Sequence, residues 1–236
     1  MRLLLLVIGD AVPDDDVVAA LHRHADVERL SVPAERAVIE RVLAGADGRR
    51  LAVSADTTGL HALTRTLWRL GELADTPLGL VRSGADAIAA ELGCAADPDA
   101  AADEILTAPV RPVALVRDDH GDVLLDEAEL TPWEGDTFGV RAHVDDAELV
   151  YAHIERLLVY ASIDETNGGR VRARTARRRE GTLRSIRGLR RLVGGRAVTV
   201  SCEPARLVID GVAQPRPQTR RTWWCDPDVW SIYRQV

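Results

Sequence analysis

The stretch from Arg50 to Leu70 limits the possible folds more than any other part of the sequence. It begins with an apolar run at Leu51–Val53, continues through a short polar turn that contains Asp56, and ends in a segment with leucines at helical spacing (Leu60, Leu63, Leu67 and Leu70). An apolar strand followed at once by an amphipathic helix is typical of a parallel sheet covered by helices. The sequence therefore predicts an α/β unit at this point.

The same alternation of strand and helix extends over the first hundred residues. Apolar runs predict strands at Leu3–Ile8, Leu51–Val53 and Leu78–Val81, and Val27–Val32 could be a further strand. Helices are predicted between and after them, one after Asp14-Asp15-Asp16 and the others at Ala34–Ala44, Thr58–Leu73, Ala85–Leu92 and Asp99–Leu106. Strands that alternate with helices pair in parallel, so we expect an α/β fold with a doubly wound sheet.

From Pro109 onward the pattern changes to short strands in which apolar and polar residues alternate. Val113–Arg117 and Val123–Leu125 flank a polar turn and predict a hairpin. Further strands are predicted at Val140–Val144, Ala197–Ser201, Arg206–Ile209 and Thr222–Ile232, whereas Glu148–Ile163 fits either a helix or a strand. We therefore expect an α/β domain over residues 1–108 and a β-rich domain over residues 109–236, with a return of the final strand to the first domain left open.

Composition restricts both the chemistry and the compartment. All 30 basic residues are arginine, so the chain has neither a Schiff-base lysine nor a P-loop lysine. The three cysteines (Cys94, Cys202 and Cys225) lack zinc-ligand spacing and a disulfide framework, which predicts small apolar side chains in a reducing compartment. The opening run Met1–Ile8 is short and is followed at once by Gly9-Asp10, which favours a buried first strand over a signal peptide. We predict a cytoplasmic protein.

Charge is distributed unevenly along the chain. Residues 1–169 carry a net charge of −18 and residues 170–236 a net charge of +11, which indicates either pairing between the two parts or a basic face for an anionic partner. The arginine-rich segment Arg170–Arg191 could bind nucleic acid, contact an anionic membrane surface, or pair with the acidic first part. It contains no aromatic residue for stacking on bases, which argues against single-stranded nucleic acid.

Three short motifs follow the predicted strands. The third strand leads into Ser54-Ala55-Asp56-Thr57-Thr58. The fourth strand, Pro77-Leu78-Gly79-Leu80-Val81, leads into Arg82–Ala87 and then into a helix that ends Glu91-Leu92-Gly93. Near the C-terminus, a strand that begins at Arg206 ends in Asp210-Gly211-Val212.

In this order the motifs resemble those of the diacylglycerol kinase and sphingosine kinase family. The first corresponds to a Gly-Gly-Asp-Gly-Thr turn whose backbone amides cradle nucleotide phosphates, and here the aspartate and the final threonine are kept while all three glycines are replaced. The second corresponds to Pro-Leu-Gly-Ile-Ile and a Gly-Thr-Ala/Gly-Asn-Asp turn, in which Asp86 aligns with either the Asn or the Asp. The third corresponds to Asp-Gly-Glu, and Val212 stands where that family has the glutamate that acts as the base.

The resemblance implies a lipid kinase fold, related to that of the NAD kinases, and ATP-dependent phosphoryl transfer to a lipid alcohol, with ATP and Mg²⁺ as cofactors. It implies catalytic roles for Asp56 and Asp210, magnesium ligation by Asp56, Asp86 and Asp210, and nucleotide contacts from Ser54, Thr57, Thr58, Ser83 and Gly84. The replaced glycines and Val212 predict that the activity is weakened, altered or lost. The alternative is a non-catalytic binding or regulatory protein, for a lipid or another small molecule and as a monomer or homodimer, in which the aspartates only form turns and helix caps.

Overall fold

The computed structural model describes residues 3–9, 21, 25–31, 35–46, 48–81, 87–163, 169–176 and 192–235. They form two compact units, the first comprising Met1–Ala114 together with Pro227–Val236 and the second comprising Leu115–Asp226. The first unit alternates strands and helices, and the second consists of strands in its described part. The predicted fold class, a doubly wound α/β domain with a second β-rich domain, is therefore confirmed.

The first unit is built on a parallel sheet in which β1 (Leu3–Ile8) lies between β2 (Ala25–Leu30) and β3 (Arg50–Ala55). Strand β4 (Leu78–Leu80) pairs in parallel with β3, and the end of the last strand, β15 (Gln218–Tyr233), pairs in parallel with β4 through Ile232 and Leu78. Every residue of β1 is buried, as expected of a central strand covered on both faces.

Four described helices accompany this sheet: α1 (Arg36–Ala44), α2 (Thr57–Leu70), α3 (Ala87–Glu91) and α4 (Pro98–Thr107). Helix α2 buries Leu60, Leu63 and Leu67, the face that the leucine spacing predicts. It ends at Gly71, whose φ of 75° lies in the left-handed region that favours glycine. Of the helix predicted after Asp14-Asp15-Asp16, only Leu21 lies among the described residues, and it is buried in the core of the first unit.

The second unit is an antiparallel assembly of strands. Its main order is β12-β11-β10-β7-β13-β15, while β8 and β9 form a hairpin on β13, and β6 and β14 form short pairs with β5 and β13. The strands are β5 (Val110–Asp118), β6 (Val123–Leu124), β7 (Glu127–Pro132), β8 (Phe138–Val144), β9 (Ala147–Ile154), β10 (Arg156–Ser162), β11 (Arg170–Ala176), β12 (Val193–Gly195), β13 (Ala197–Ile209) and β14 (Val212–Ala213). Phe138, Leu157, Val198 and Trp223 are among the residues of its core.

Several strands of this unit differ from the sequence predictions. The ambiguous stretch Glu148–Ile163 forms two strands, β9 and β10, separated at Glu155. The two strands predicted at Ala197–Ser201 and Arg206–Ile209 are one strand, β13, with a register shift between Ser201 and Ala205. A bulge of this kind keeps one continuous strand while it interrupts the regular alternation of side chains, which is why the sequence pattern looked divided.

Two further findings concern membrane spans and cysteines. Within the described part of the chain, no helix combines the length and the hydrophobicity that crossing a bilayer requires. Cys94, Cys202 and Cys225 form no disulfide, and Cys94 is buried. Burial raises the pKa of the Cys202 and Cys225 thiols to about 11, with a smaller contribution from the neighbouring carboxylates Glu203 and Asp226. Both thiols are therefore protonated, and poor nucleophiles, near neutral pH.

Candidate functional site

The junction between β3 and α2 is the site that the sequence analysis selects, and it is a very short one. Strand β3 ends at Ala55 and helix α2 begins at Thr57, so only Asp56 stands between them. Its backbone is extended, with φ −73° and ψ 173°, and its carboxylate Oδ1 accepts a hydrogen bond of 2.7 Å from the N–H of Gly59. Asp56 is thus the N-cap of α2, and its side chain is exposed.

The residues around Asp56 differ in how accessible they are. Ser54 lies within β3 and has no exposed surface, whereas Thr57 and Thr58 form the first turn of α2 and are half-buried. Among the described non-glycine residues, a positive φ occurs only at Asp145 and Asp210. The chain therefore passes from β3 into α2 without the positive φ that glycines make possible.

Gly59 is the residue of this junction that sequence reasoning missed. A Cβ atom at this position would lie 2.9 Å from Cγ2 of Ile8, closer than side-chain contacts allow, and 3.1 Å from the carbonyl oxygen of Ile8. The first turn of α2 can therefore lie directly against the end of β1 only because residue 59 has no side chain. A glycine three residues after Asp56, inside the predicted helix, is the signal that could have revealed this contact.

The sequence analysis did not predict the burial of His61, in the second turn of α2. His61 is only 1% exposed, on the side of α2 that faces the core. It follows Leu60 on the helix, and its position between two buried leucines was the available clue. A histidine enclosed in this way is removed from any ligand at the surface of the junction.

The second predicted motif is described only in part. Ser83, Gly84 and Asp86 lie outside the described residues, so their predicted contacts to nucleotide and metal stay predictions. Strand β4, which precedes them, is fixed by close packing: a Cβ on Gly79 would lie 2.7 Å from Cγ1 of Ile105 in α4. Gly79 therefore allows α4 to pack closely against β4.

Asp210 is held in the second unit by backbone groups. It occupies the turn between β13 and β14, with φ 48°, and is 3% exposed. Its carboxylate accepts hydrogen bonds from the N–H groups of Leu125 (2.9 Å), Asp126 (2.9 Å) and Glu127 (3.2 Å), and its own N–H donates to the carbonyl of Glu127. This carboxylate fixes the turn that enters β7.

The magnesium ligation predicted for Asp56, Asp86 and Asp210 stays a prediction, because Asp86 lies outside the described residues. Mg²⁺ requires several oxygen ligands in octahedral geometry, supplied by carboxylates, waters and phosphates. Among the described residues, no three histidine, cysteine, aspartate or glutamate side chains form a group that could hold a metal ion. Asp56 caps a helix, and Asp210 accepts three backbone hydrogen bonds.

Comparison with solved structures identifies the fold. The chain is similar to a diacylglycerol kinase from Bacillus anthracis str. Sterne, with a TM-score of 0.64, 11% identity, and coverage of 99% of this chain and 97% of that one. The fold is that of the diacylglycerol kinases. An NAD kinase from Archaeoglobus fulgidus in complex with ATP is also similar, with a TM-score of 0.57, 14% identity, and coverage of 99% and 94%. No protein-family model and no curated protein sequence matches the chain.

The diacylglycerol kinase fold agrees with the order of elements that the motifs predicted. In this chain Asp56 stands between β3 and α2, and Asp210 follows β13 of the second unit, while their predicted functional roles stay predictions. Val212, at the position of the predicted base, is half-buried in β14 opposite Ile209. A valine there has no atom that could accept a proton.

Proposed function

We propose that this chain is a diacylglycerol-kinase-like protein in which ATP-dependent phosphoryl transfer to a lipid alcohol is weakened, altered or lost. The fold supports the kinase-like part of the proposal. The geometry of the β3–α2 junction, where Asp56 alone separates strand from helix, carries the part about activity. Phosphoryl transfer depends on holding and neutralising the phosphates, so the state of their binding surface decides the rate.

The N-terminus of α2 is where a nucleotide phosphate would bind, and side chains of the protein already occupy part of it. The first N–H groups of a helix and its positive dipole end would attract a phosphate. Here the carboxylate of Asp56 already accepts the N–H of Gly59, and the side chains of Thr57 and Thr58 cover the same turn. The family's turn has the same aspartate and final threonine, so the difference at this end is the β-branched side chain of Thr57, which stands where that turn has a glycine and which a phosphate would have to approach. Nucleotide binding is therefore weaker than a turn of glycines would provide.

The test is phosphoryl transfer measured beside a functional diacylglycerol kinase. The wild-type chain, radiolabelled Mg-ATP and diacylglycerol in detergent micelles are incubated together, and phosphatidic acid is counted. We expect turnover lower by about a hundred-fold or more, the size of effect that loss of a general base alone produces. Turnover equal to that of the reference kinase would refute the proposal, since neither the replaced glycines nor Val212 would then matter.

A triple variant, S54G/A55G/T57G, tests whether the junction is responsible. Restoring the three glycines should strengthen Mg-ATP binding in calorimetry, because it removes the β-branched side chain of Thr57 and frees the backbone. Circular dichroism and the thermal midpoint identify any loss of folding, since Ser54 and Ala55 are buried. Unchanged binding in a folded triple variant would show that the junction is not what limits the nucleotide.

A second candidate function, a non-catalytic binding or regulatory protein, is favoured by Val212 and Asp210. The side chain of Val212 has no proton acceptor, and the carboxylate of Asp210 accepts hydrogen bonds from three backbone N–H groups. The variant V212E separates the two functions. A rise in phosphoryl transfer of about a hundred-fold or more indicates a kinase that lacks only its base. ATP binding without transfer in V212E supports the non-catalytic function.

A further inference from the structure

Strand β11 presents a row of three arginines on one face of the second unit. Arg170, Arg172 and Arg174 alternate with residues that are buried, Val171, Ala173 and Thr175. Alternate residues of a strand point to the same side and lie about 6.6–7 Å apart. The three guanidinium groups therefore project from the same side of the sheet, with Arg170 exposed and the other two half-buried.

The neighbouring strands leave room for this row. On one side, Arg172 is paired with Gly194 of β12, and a Cβ on that glycine would lie 3.2 Å from Cγ of Arg172. The Arg172 stem therefore lies across β12 in the space where a side chain would otherwise stand. On the other side, β10 places Ser162 opposite Arg170 and Tyr160 opposite Arg172.

Two of the three positive charges lack a partner in the described part of the chain. Arg174 donates from Nη2 to the hydroxyl of Tyr160 at 2.8 Å and lies 5.3 Å from the centre of its ring. Arg170 and Arg172 make neither a hydrogen bond nor an ion pair with another described side chain. The acids of this face are Glu127 and Glu129 on β7, two strands away from the arginines. Glu127 forms a side-chain hydrogen bond with Tyr160, and Glu129 is paired with Arg156.

An exposed apolar side chain lies next to the row. Leu192 is 42% exposed, and it is one of only three large apolar residues that are exposed within the described ranges. It directly precedes β12 and stands two residues before Gly194, the partner of Arg172. The period of two along a strand therefore assigns Leu192 to the same side as the arginines.

We propose that this arginine face, formed by Arg170, Arg172, Arg174 and Leu192, binds the surface of an anionic membrane. Unpaired arginines attract phosphate-bearing headgroups, and an exposed leucine among them can enter the boundary between headgroups and acyl chains. Nucleic acid fits less well, because the aromatic ring of this face, Tyr160, is half-buried and held by Arg174 instead of being free to stack. The proposal does not depend on phosphoryl transfer.

Vesicle flotation with the full chain tests this surface. The vesicles contain phosphatidylcholine alone or phosphatidylcholine with phosphatidylglycerol, and the bound fraction gives a partition coefficient. Wild type should bind only the vesicles with phosphatidylglycerol, and less as salt rises. R170Q/R172Q should lower the partition coefficient about 25-fold, since each basic residue near an anionic surface contributes about five-fold.

Two control variants distinguish the arginine face from general charge. R170K/R172K keeps both charges and should bind as wild type does. R111Q/R216Q removes the same number of charges from exposed positions outside β11 and should also keep its binding. L192S should weaken the binding that persists at high salt, because that part comes from the apolar side chain. If R170Q/R172Q does not fold, R170Q alone should still lower the partition coefficient about five-fold, which is the contribution of one exposed arginine.

Three results would overturn the proposal. The first is no binding of wild type to phosphatidylglycerol vesicles. The second is an equal loss in R111Q/R216Q and R170Q/R172Q, which would mean that net charge alone is responsible. The third is binding of a labelled oligonucleotide that is lost in R170Q/R172Q while vesicles are not bound, which would assign the face to nucleic acid.

Discussion

The guanidinium of Arg221 lies 2.8 Å from Oδ2 of Asp118, and both side chains are almost completely buried, at 2% and 1% exposure. The other oxygen of Asp118 accepts the N–H groups of His120 and Asp122, while Arg221 also donates to the side chain of Gln218. This buried pair joins the end of β5 to β15 within the second unit. Nothing in the local sequence around either residue indicates it.

Replacing one partner of this pair should destabilise the second unit strongly. D118N leaves the Arg221 charge buried without its counter-ion, and such changes cost about 3–5 kcal/mol. Urea unfolding followed by tryptophan fluorescence measures the free energy of unfolding, with Trp223 as a reporter in the core of this unit. The double variant D118L/R221M should be less destabilised than D118N, because no buried charge remains. A loss below about 1 kcal/mol in D118N would contradict a buried, mutually dependent pair.

Gly59 should not tolerate even a methyl group. In G59A the new Cβ would lie 2.9 Å from Cγ2 of Ile8, so β1 and α2 must move apart, at a cost of about 1–3 kcal/mol. G45A is the matched control, because a Cβ at Gly45 meets its nearest atom at 3.4 Å and the backbone there is right-handed. Equal thermal midpoints for G59A and G45A would show that the contact with Ile8 is easily relieved.

Removal of the cap on α2 should lower the free energy of unfolding less than G59A does, and a substitution that supplies another capping oxygen should restore most of it. D56A deprives the N–H of Gly59 of its acceptor and should reduce the free energy of unfolding by about 1 kcal/mol. D56S provides another capping oxygen and should retain most of the stability. Chemical unfolding of the three proteins gives the comparison. If D56S is as unstable as D56A, the carboxylate does more than cap the helix.

The half-buried thiols predict a distinct dependence on pH. Because burial raises the pKa of Cys202 and Cys225 to about 11, the folded protein keeps both thiols protonated at pH values where an unfolded cysteine already ionises. Alkylation by iodoacetamide near pH 8 should therefore be about a hundred-fold slower in the folded than in the urea-unfolded protein and should accelerate up to about pH 11. The stability contributed by the neutral thiols should be lost over the same alkaline range. Rapid alkylation of these two residues near pH 8, read by mass spectrometry, would contradict the raised pKa values.

The first unit could be predicted well because its elements are specified locally. Runs such as Leu3–Ile8 are buried throughout, and the leucines of α2 repeat at the helical period, so each element is visible in its own segment. The strands of the second unit were harder to predict. β7 ends in Thr131-Pro132 and β11 alternates arginine with small residues, so that neither resembles a typical strand.

The site could be predicted only in part for a different reason. The position of Asp56 follows from its own segment, whereas the need for glycine at residue 59 comes from Ile8, which lies in a different strand. The hydrogen bonds of Asp210 likewise reach N–H groups 83 to 85 residues earlier in the chain. Contacts between distant segments leave no local pattern from which they could have been predicted.

Strand β15 has a consequence for how the chain can be assembled during translation. Its first part pairs with β13, but Ile232 pairs with Leu78, so the sheet of the first unit includes residues made after the whole second unit. Until the end of β15 has left the ribosome, the nascent chain has an open sheet edge at β4. Completion of the first unit is thus delayed until the second unit has been made, and a chain stopped after Asp226 should be a substrate for chaperones and proteases.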